Sequence, residues 1–134
     1  MLNRLTDSLN FHGQALTLRA ERQKLIASNI ANGDTPGYQA RDIDFASALR
    51  EATGASTAAP AMARSSGAHI SGSTGALSEP RLVYATSSQT NLDGNTVDMD
   101  RERASFVDNA VKYEATLRFI NGNVRTMLDA IKGQ

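Results

Sequence analysis

Ser28-Asn29-Ile30-Ala31-Asn32-Gly33-Asp34-Thr35-Pro36-Gly37-Tyr38 reads as the end of a helix followed at once by a forced change of direction. Asn32-Gly33 is a C-cap signal, because glycine accepts the left-handed backbone that closes many helices without a Cβ penalty. Pro36 disfavours helical geometry at Thr35 and has no backbone N–H to donate. Pro36 and Gly37 fit the two central positions of a type II turn, with glycine where φ must be positive. Tyr38 adds a ring that can pin the new direction and a hydroxyl that can reach a polar partner. These residues stop one helix and launch a different kind of chain; none of them is suited to acting on a substrate.

Upstream, residues 2–32 contain no proline, and Gly13 is the only glycine before the cap. Leu2, Leu5, Leu9, Leu16, Ile26 and Ile30 share one 3–4 register. That register also places His12, Arg19 and Gln23 where apolar side chains belong. Phe11, Leu18 and Leu25 form a second row, seven residues apart, on a different face. Two rows predict a long helix with neighbours on two sides.

The strongest periodicity lies at the other end. Phe106, Ala110, Tyr113, Leu117, Ile120, Val124, Met127 and Ile131 step by 4, 3, 4, 3, 4, 3, 4, a coiled-coil seam of more than three heptads. Val107, Val111, Phe119 and Leu128 widen the apolar surface. Gly122 costs about 1 kcal/mol against alanine in helix propensity, and marks either a close helix–helix approach or a soft point. Either Asn95-Thr96 or Asp98 supplies the N-cap, with Asp98, Asp100 and Glu102 at the end where the helix dipole favours negative charge. Lys132-Gly133 closes the helix with a cation near its negative end.

Between these helices the chain is poor in core-forming residues. Of the 28 residues from 51 to 78, 21 are Ala, Gly, Ser or Thr, too little apolar surface to offset the entropy of ordering. Residues 46–51 read as a turn or two of helix. Arg81-Leu82-Val83-Tyr84-Ala85, after Pro80, reads as a strand that pairs with the region of residues 43–45, and Asp93-Gly94 as a tight turn. The fold class expected is mainly α: long N- and C-terminal helices packed as a coiled coil or helical hairpin, with a Gly/Ala/Ser-rich insert carrying a short β element. The boundaries fall at 1–32 for the N-terminal assembly helix, 33–97 for the turn and insert, and 98–134 for the C-terminal assembly helix. An intramolecular pair leaves Phe11, Leu18, Leu25, Val107 and Val111 as exposed rows open to further protein contacts.

At 134 residues the chain has room for one domain. Its formal charge is zero, so no general basic field is available to hold a nucleic acid. Without cysteine it has no disulfide framework and no thiolate metal site. Residues 1–7 hold no continuous apolar run, so no secretory signal peptide is expected. Nothing approaches the roughly 18 consecutive apolar residues of a membrane span. The two histidines, His12 and His69, are isolated. Asp42-x-Asp44 and Asp98-x-Asp100 lack calcium-loop spacing and read as solvated or capping carboxylates. No phosphate loop, nucleophile elbow or zinc helix motif is present. No catalytic, cofactor-binding or metal-binding residue is therefore assigned.

Ser28-Asn29-Ile30-Ala31-Asn32, followed by Thr35-Pro36-Gly37-Tyr38, resembles the signature of the bacterial flagellar basal-body rod proteins, the rod and hook family. Gln39-Ala40-Arg41-Asp42-Ile43-Asp44-Phe45 and Leu92-Asp93-Gly94-Asn95-Thr96-Val97-Asp98-Met99-Asp100-Arg101-Glu102 resemble the branch that builds the proximal rod. The last helix lacks the Gln-Arg-Ala-Tyr-type run of distal members, and Gly33 stands where alanine is more usual. The resemblance implies a structural subunit whose terminal helices pack as a coiled coil and line the inner tube of a helical assembly. It further implies export as an unfolded chain through the flagellar type III apparatus to a periplasmic rod. The partners it implies are other copies, other rod proteins, the rod-base adaptor, the membrane ring and the export gate. A helical-hairpin adaptor or chaperone with one protein partner is the alternative expectation.

Overall fold

Secondary structure follows the two terminal periodicities. The computed structural model describes residues 2–54, 81–84 and 91–133. Its elements are α1 (Leu2–Ala31), β1 (Arg41–Ile43), α2 (Phe45–Ala52), β2 (Leu82–Tyr84) and α3 (Met99–Lys132). The expected insert lies largely outside the described residues, and His69 with it.

α1 and α3 run antiparallel, since Asn123 Nδ2 reaches Ser8 Oγ at 3.2 Å at one end and Gln23 meets Asn109 nearer the other. At 1.5 Å per residue the pair is about 45 Å long. α3 starts at Asp98, whose carboxylate accepts from the N–H groups of Asp100 and Arg101 at 3.1 and 3.2 Å. That settles which of the two candidate caps is used. It ends at Gly133, left-handed at φ 74°, whose N–H bonds Asp129 O.

The seam between the two helices is not the one periodicity suggests. The buried residues of α3 are Asn109 and Thr116, not Ala110 and Leu117. Asn109 Nδ2 donates to Arg19 O at 2.9 Å and to Gln23 Oε1 at 2.6 Å, while Thr116 closes its hydroxyl onto Lys112 O at 2.8 Å. The polar positions that interrupt the α1 register now have partners. Gln23 faces Asn109, His12 stacks on Phe119 with centroids 5.7 Å apart, and Arg19 places its guanidinium carbon 4.3 Å from the Phe45 ring centroid. Polar side chains on α1 attract polar side chains on α3, and this rotates α3 away from its most apolar register.

The second row of α1 is also not free. Leu18 is buried with Ile43 and Ala48, and Leu25, Phe45 and Leu49 pack around them. The expectation that Leu18 and Leu25 are exposed is therefore corrected: the chain's own β1–α2 segment covers them, and burying a leucine contributes roughly 1.5–3 kcal/mol. Of that row only Phe11 remains exposed. α2 is launched by Asp44, whose carboxylate accepts from Ser47 N and Ser47 Oγ at 3.3 and 2.7 Å, the N-cap geometry.

β1 and β2 pair antiparallel, Arg41 opposite Tyr84, Asp42 opposite Val83 and Ile43 opposite Leu82. The strand expected at residues 81–85 thus exists, shifted slightly toward the turn in its pairing; Ala85 lies outside the described residues.

Candidate functional site

The expected turn motif is densely bonded among the described residues. Asn29 is fully buried near the end of α1. Its Nδ2 donates to Arg41 O at 2.8 Å and to Glu102 Oε2 at 3.1 Å. Its Oδ1 accepts from Arg41 N at 3.0 Å and from the Tyr38 hydroxyl at 3.3 Å. A side-chain amide offers two donors and two lone pairs, and all four are used. One residue thus ties together α1, β1 and α3. The Tyr38 hydroxyl also meets Ser28 Oγ at 3.2 Å.

The turn itself has the geometry its residues demand. Tyr38 N–H bonds Thr35 O at 3.2 Å, and Gly37 has φ +72°, as a type II turn requires at its third residue. Gly37 N–H continues to Asp93 O at 2.9 Å, and Thr96 N–H to Tyr38 O at 3.0 Å. Ala40 N–H is taken by Thr96 Oγ1 at 2.9 Å. The turn after α1 therefore lies against the segment that leads into α3.

The C-cap differs from the expectation. Gly33 is not among the glycines with positive φ, so the left-handed cap read at Asn32-Gly33 is corrected. The last carbonyls of α1 are served locally, Ser28 O by Asn32 Nδ2 at 2.8 Å and Ile30 O by Gly33 N–H at 3.2 Å, while those of the turn that follows are held from far along the chain. Asn95, fully buried, shares its Nδ2 hydrogens among Asn32 O, Gly33 O and Thr35 O at 3.0, 2.8 and 2.9 Å. Its Oδ1 accepts from Val97 N at 2.8 Å. Gly33 is small for a different reason: a Cβ there would lie 2.6 Å from Met99 Sδ and 3.3 Å from Ile30 O.

Charge reinforces the same junction. Arg22 on α1 holds Asp42 on β1 through two parallel bonds of 3.0 Å, Nε to Oδ1 and Nη2 to Oδ2. The bond to Asp42 raises the Arg22 pKa above its ordinary value, against the cost of burial. Burial is the main influence holding the Glu102 carboxyl above its ordinary value; the Asn29 hydrogen bond opposes this and the nearby Asp42 charge adds to it. Among the described residues no group of three or more His, Cys, Asp or Glu is placed to hold a metal ion.

Residues of the expected seam divide between two situations. Tyr113, Ile120 and Met127 are half-buried toward α1, while Phe106, Ala110, Leu117, Val124 and Ile131 are exposed. On α1, Ile26 is fully buried and Leu5, Leu9, Leu16 and Ile30 are half-buried. Within the motif, Ser28 and Asn32 bond as described, whereas Ala31, Thr35 and Pro36 lie at the surface. Sequence reasoning gives Asn109 and Arg22 no structural role, and it assigns Asn95 and Glu102 only to the start of α3 rather than to contacts with the turn and with Asn29. The polar interruptions at Arg19 and Gln23 were the available signal for Asn109.

The turn after α1 is interlocked with the segment that leads into α3, and an apolar row of α3 is left exposed. Residues 9–39 match the family model described as flagella basal body rod protein. The chain is 47% identical to the flagellar basal body rod protein FlgB of Salmonella typhimurium over 142 residues, covering 99% of both chains. It is 45% identical to that of Escherichia coli K12, with 98% of each covered. The FlgB of Buchnera aphidicola is 35% identical, with 99% of this chain and all of the relative aligned. The chain belongs to the FlgB family of flagellar basal body rod proteins. No helix among the described residues is long and apolar enough to cross a membrane.

Proposed function

We propose that this chain is a non-catalytic structural subunit of the proximal flagellar rod, joined to neighbouring subunits through α1 and α3 as part of the drive shaft and export channel. Family membership supports the structural role. The observation that carries the assembly role is the apolar row Phe106, Ala110, Leu117, Val124 and Ile131, exposed along α3 in the single chain. A row of that length is costly to leave in water and is characteristic of a protein contact. In this reading residues 1–32 and 98–134 form the assembly core, and residues 33–97 hold the insert to one side of it. The subunit leaves the cytoplasm unfolded through the flagellar type III apparatus and meets the rod-base adaptor, membrane ring and export gate in the periplasm. Nothing observed favours a hairpin adaptor with a single partner.

Leu117→Asp tests the reading. Leu117 is exposed, whereas Ile120 is half-buried toward α1, so only Leu117 separates assembly from folding. The variant is expected to keep the helical circular dichroism of the wild type and to abolish swimming in cells that carry it as their only copy. Normal swimming refutes the assembly role of the row.

A further inference from the structure

Met99 opens α3, directly after the Asp98 cap, and reaches across the junction to the chain that leaves α1. A Cβ on Gly33 would meet Met99 Sδ at 2.6 Å and Met99 Cγ at 3.4 Å, so the thioether lies on the bare backbone of Gly33. The polar atoms around that seat are acceptors. Ile30 O is 3.3 Å from the same point, and Asn32 O, Gly33 O and Thr35 O converge on the Asn95 amide. The hydrogens at hand are already committed, Gly33 N–H to Ile30 O and Asn95 Nδ2 to the three carbonyls. A thioether is a weak acceptor and tolerates such surroundings. Met99 is only half-buried, however, and with Thr96, Asp98, Arg101 and Glu102 it lines a polar groove of about 810 Å³. A water-sized molecule occupies roughly 30 Å³, so small polar solutes have ample room to approach the sulfur.

We propose that Met99 is a reversible oxidation site, at which a hydroperoxide entering from the groove converts the thioether into a sulfoxide and so releases the start of α3 from the turn after α1. The sulfur lone pair attacks one oxygen of the O–O bond, and the S–O bond forms as the O–O bond breaks. Sulfur loses two electrons and the peroxide gains them; hydrogen peroxide leaves as water once a proton has moved between its oxygens. The new oxygen is a strong acceptor set among carbonyl oxygens with no hydrogen to receive, which is costly in a half-buried site. Alanine at Gly33 displaces the flexible thioether but adds no polar atom, so the sulfoxide is the larger disturbance. Turning into the groove lets water satisfy the oxygen and empties the seat on Gly33. Asn95, which holds the turn, lies four residues before Met99 on the segment that must follow this movement. Methionine sulfoxide reductases, one for each epimer at sulfur, restore the thioether. The contact lies within one chain, so the site does not depend on how copies assemble.

The test treats the full chain with hydrogen peroxide at neutral pH, quenches with free methionine and follows each methionine by peptide mass spectrometry, natively and in concentrated urea. The native rate at Met99 is expected within tenfold of the rate in urea; a slower rate shows that peroxide does not reach the sulfur and overturns the proposal. The oxidised protein should melt about 5 °C lower, and the two sulfoxide reductases should return the midpoint to its starting value. A fall below about 2 °C overturns the release. Amide exchange gives a local readout, because Gly37 N–H and Thr96 N–H bond across the junction to Asp93 O and Tyr38 O. Both should exchange at least fivefold faster after oxidation. Met99→Leu conserves volume and should show neither change at the same peroxide dose; an equal response in this variant places the effect at another methionine and overturns the assignment. If Met99→Leu fails to fold, Met127→Leu decides. It replaces the other methionine among the described residues and should keep the full response, and loss of the response there overturns the proposal.

Discussion

Replacing Asn95 by alanine should be among the most damaging single changes in the chain outside its apolar contacts. The amide donates to three carbonyls at 2.8–3.0 Å and accepts from Val97 N–H, and the residue is fully buried. Two of those carbonyls have other donors: Asn32 O takes Thr35 N–H and Thr35 O takes Tyr38 N–H. Truncation therefore most affects Gly33 O and Val97 N–H. Stranding a buried polar group costs about 1–3 kcal/mol, and weakening the two shared carbonyls adds to this, so the expected loss is about 3–5 kcal/mol. At roughly 3–5 °C per kcal/mol for a chain of this size, the melting midpoint should fall by on the order of 10–20 °C. Urea and thermal unfolding of the full chain, followed by circular dichroism, measure both. Asn95→Asp sharpens the test. It preserves size but removes both hydrogens and sets carboxylate oxygens against carbonyl oxygens, so it should be worse than alanine. A loss below about 1 kcal/mol for alanine, or an aspartate variant as stable as the alanine one, would falsify the assignment of Asn95 as the tie that holds the turn after α1.

Three further changes probe the junction. Gly37→Val should cost about 1–3 kcal/mol, because a β-branched residue is penalised at φ +72°. Gly33→Ala should cost less than about 1 kcal/mol, since its close neighbour Met99 Sδ belongs to a flexible side chain; equal losses in chemical denaturation would contradict the turn assignment. Folded, the chain holds a proton at Glu102 more tightly than when unfolded, so its stability falls as pH rises from the ordinary value of 4.5 through the raised folded value. Glu102→Gln should remove that part of the fall while keeping an acceptor for Asn29, and denaturation midpoints of the two proteins that stay parallel between pH 4.5 and 8 would argue against it. The Arg22–Asp42 pair has side chains 23% and 41% exposed, so solvent screening limits its coupling to about 1 kcal/mol despite the two-point geometry. A double-mutant cycle with alanine at both positions measures it, and a coupling near zero would show the pair to be incidental.

Much of this architecture is local in origin and was legible in the chain. A helix is set by spacing of 3 and 4, a turn by Pro36-Gly37, a cap by Asp98 or Gly133, and each signal sits within a few residues of its effect. The two long helices, the turn between Thr35 and Tyr38 and the short strand at Leu82–Tyr84 follow from such signals. Membership of the rod family was likewise carried by short motifs, Ser28–Tyr38 above all.

Tertiary structure decided what depends on partners far along the chain. Asn95 holds the turn after α1 from 63 residues away, and Asn29 reaches Glu102 across 73. A side-chain amide looks the same in sequence whether it faces water or completes a buried network, so neither role could be read from its neighbours. Gly33 was legible as small but not as small for Met99. The rotation of α3 has the same cause. Its apolar surface is wide enough to offer more than one seam, and the choice fell to Asn109 because Arg19 O and Gln23 stood opposite it. Periodicity determined that α3 has an apolar face; packing against α1 determined which part of that face is left for other molecules.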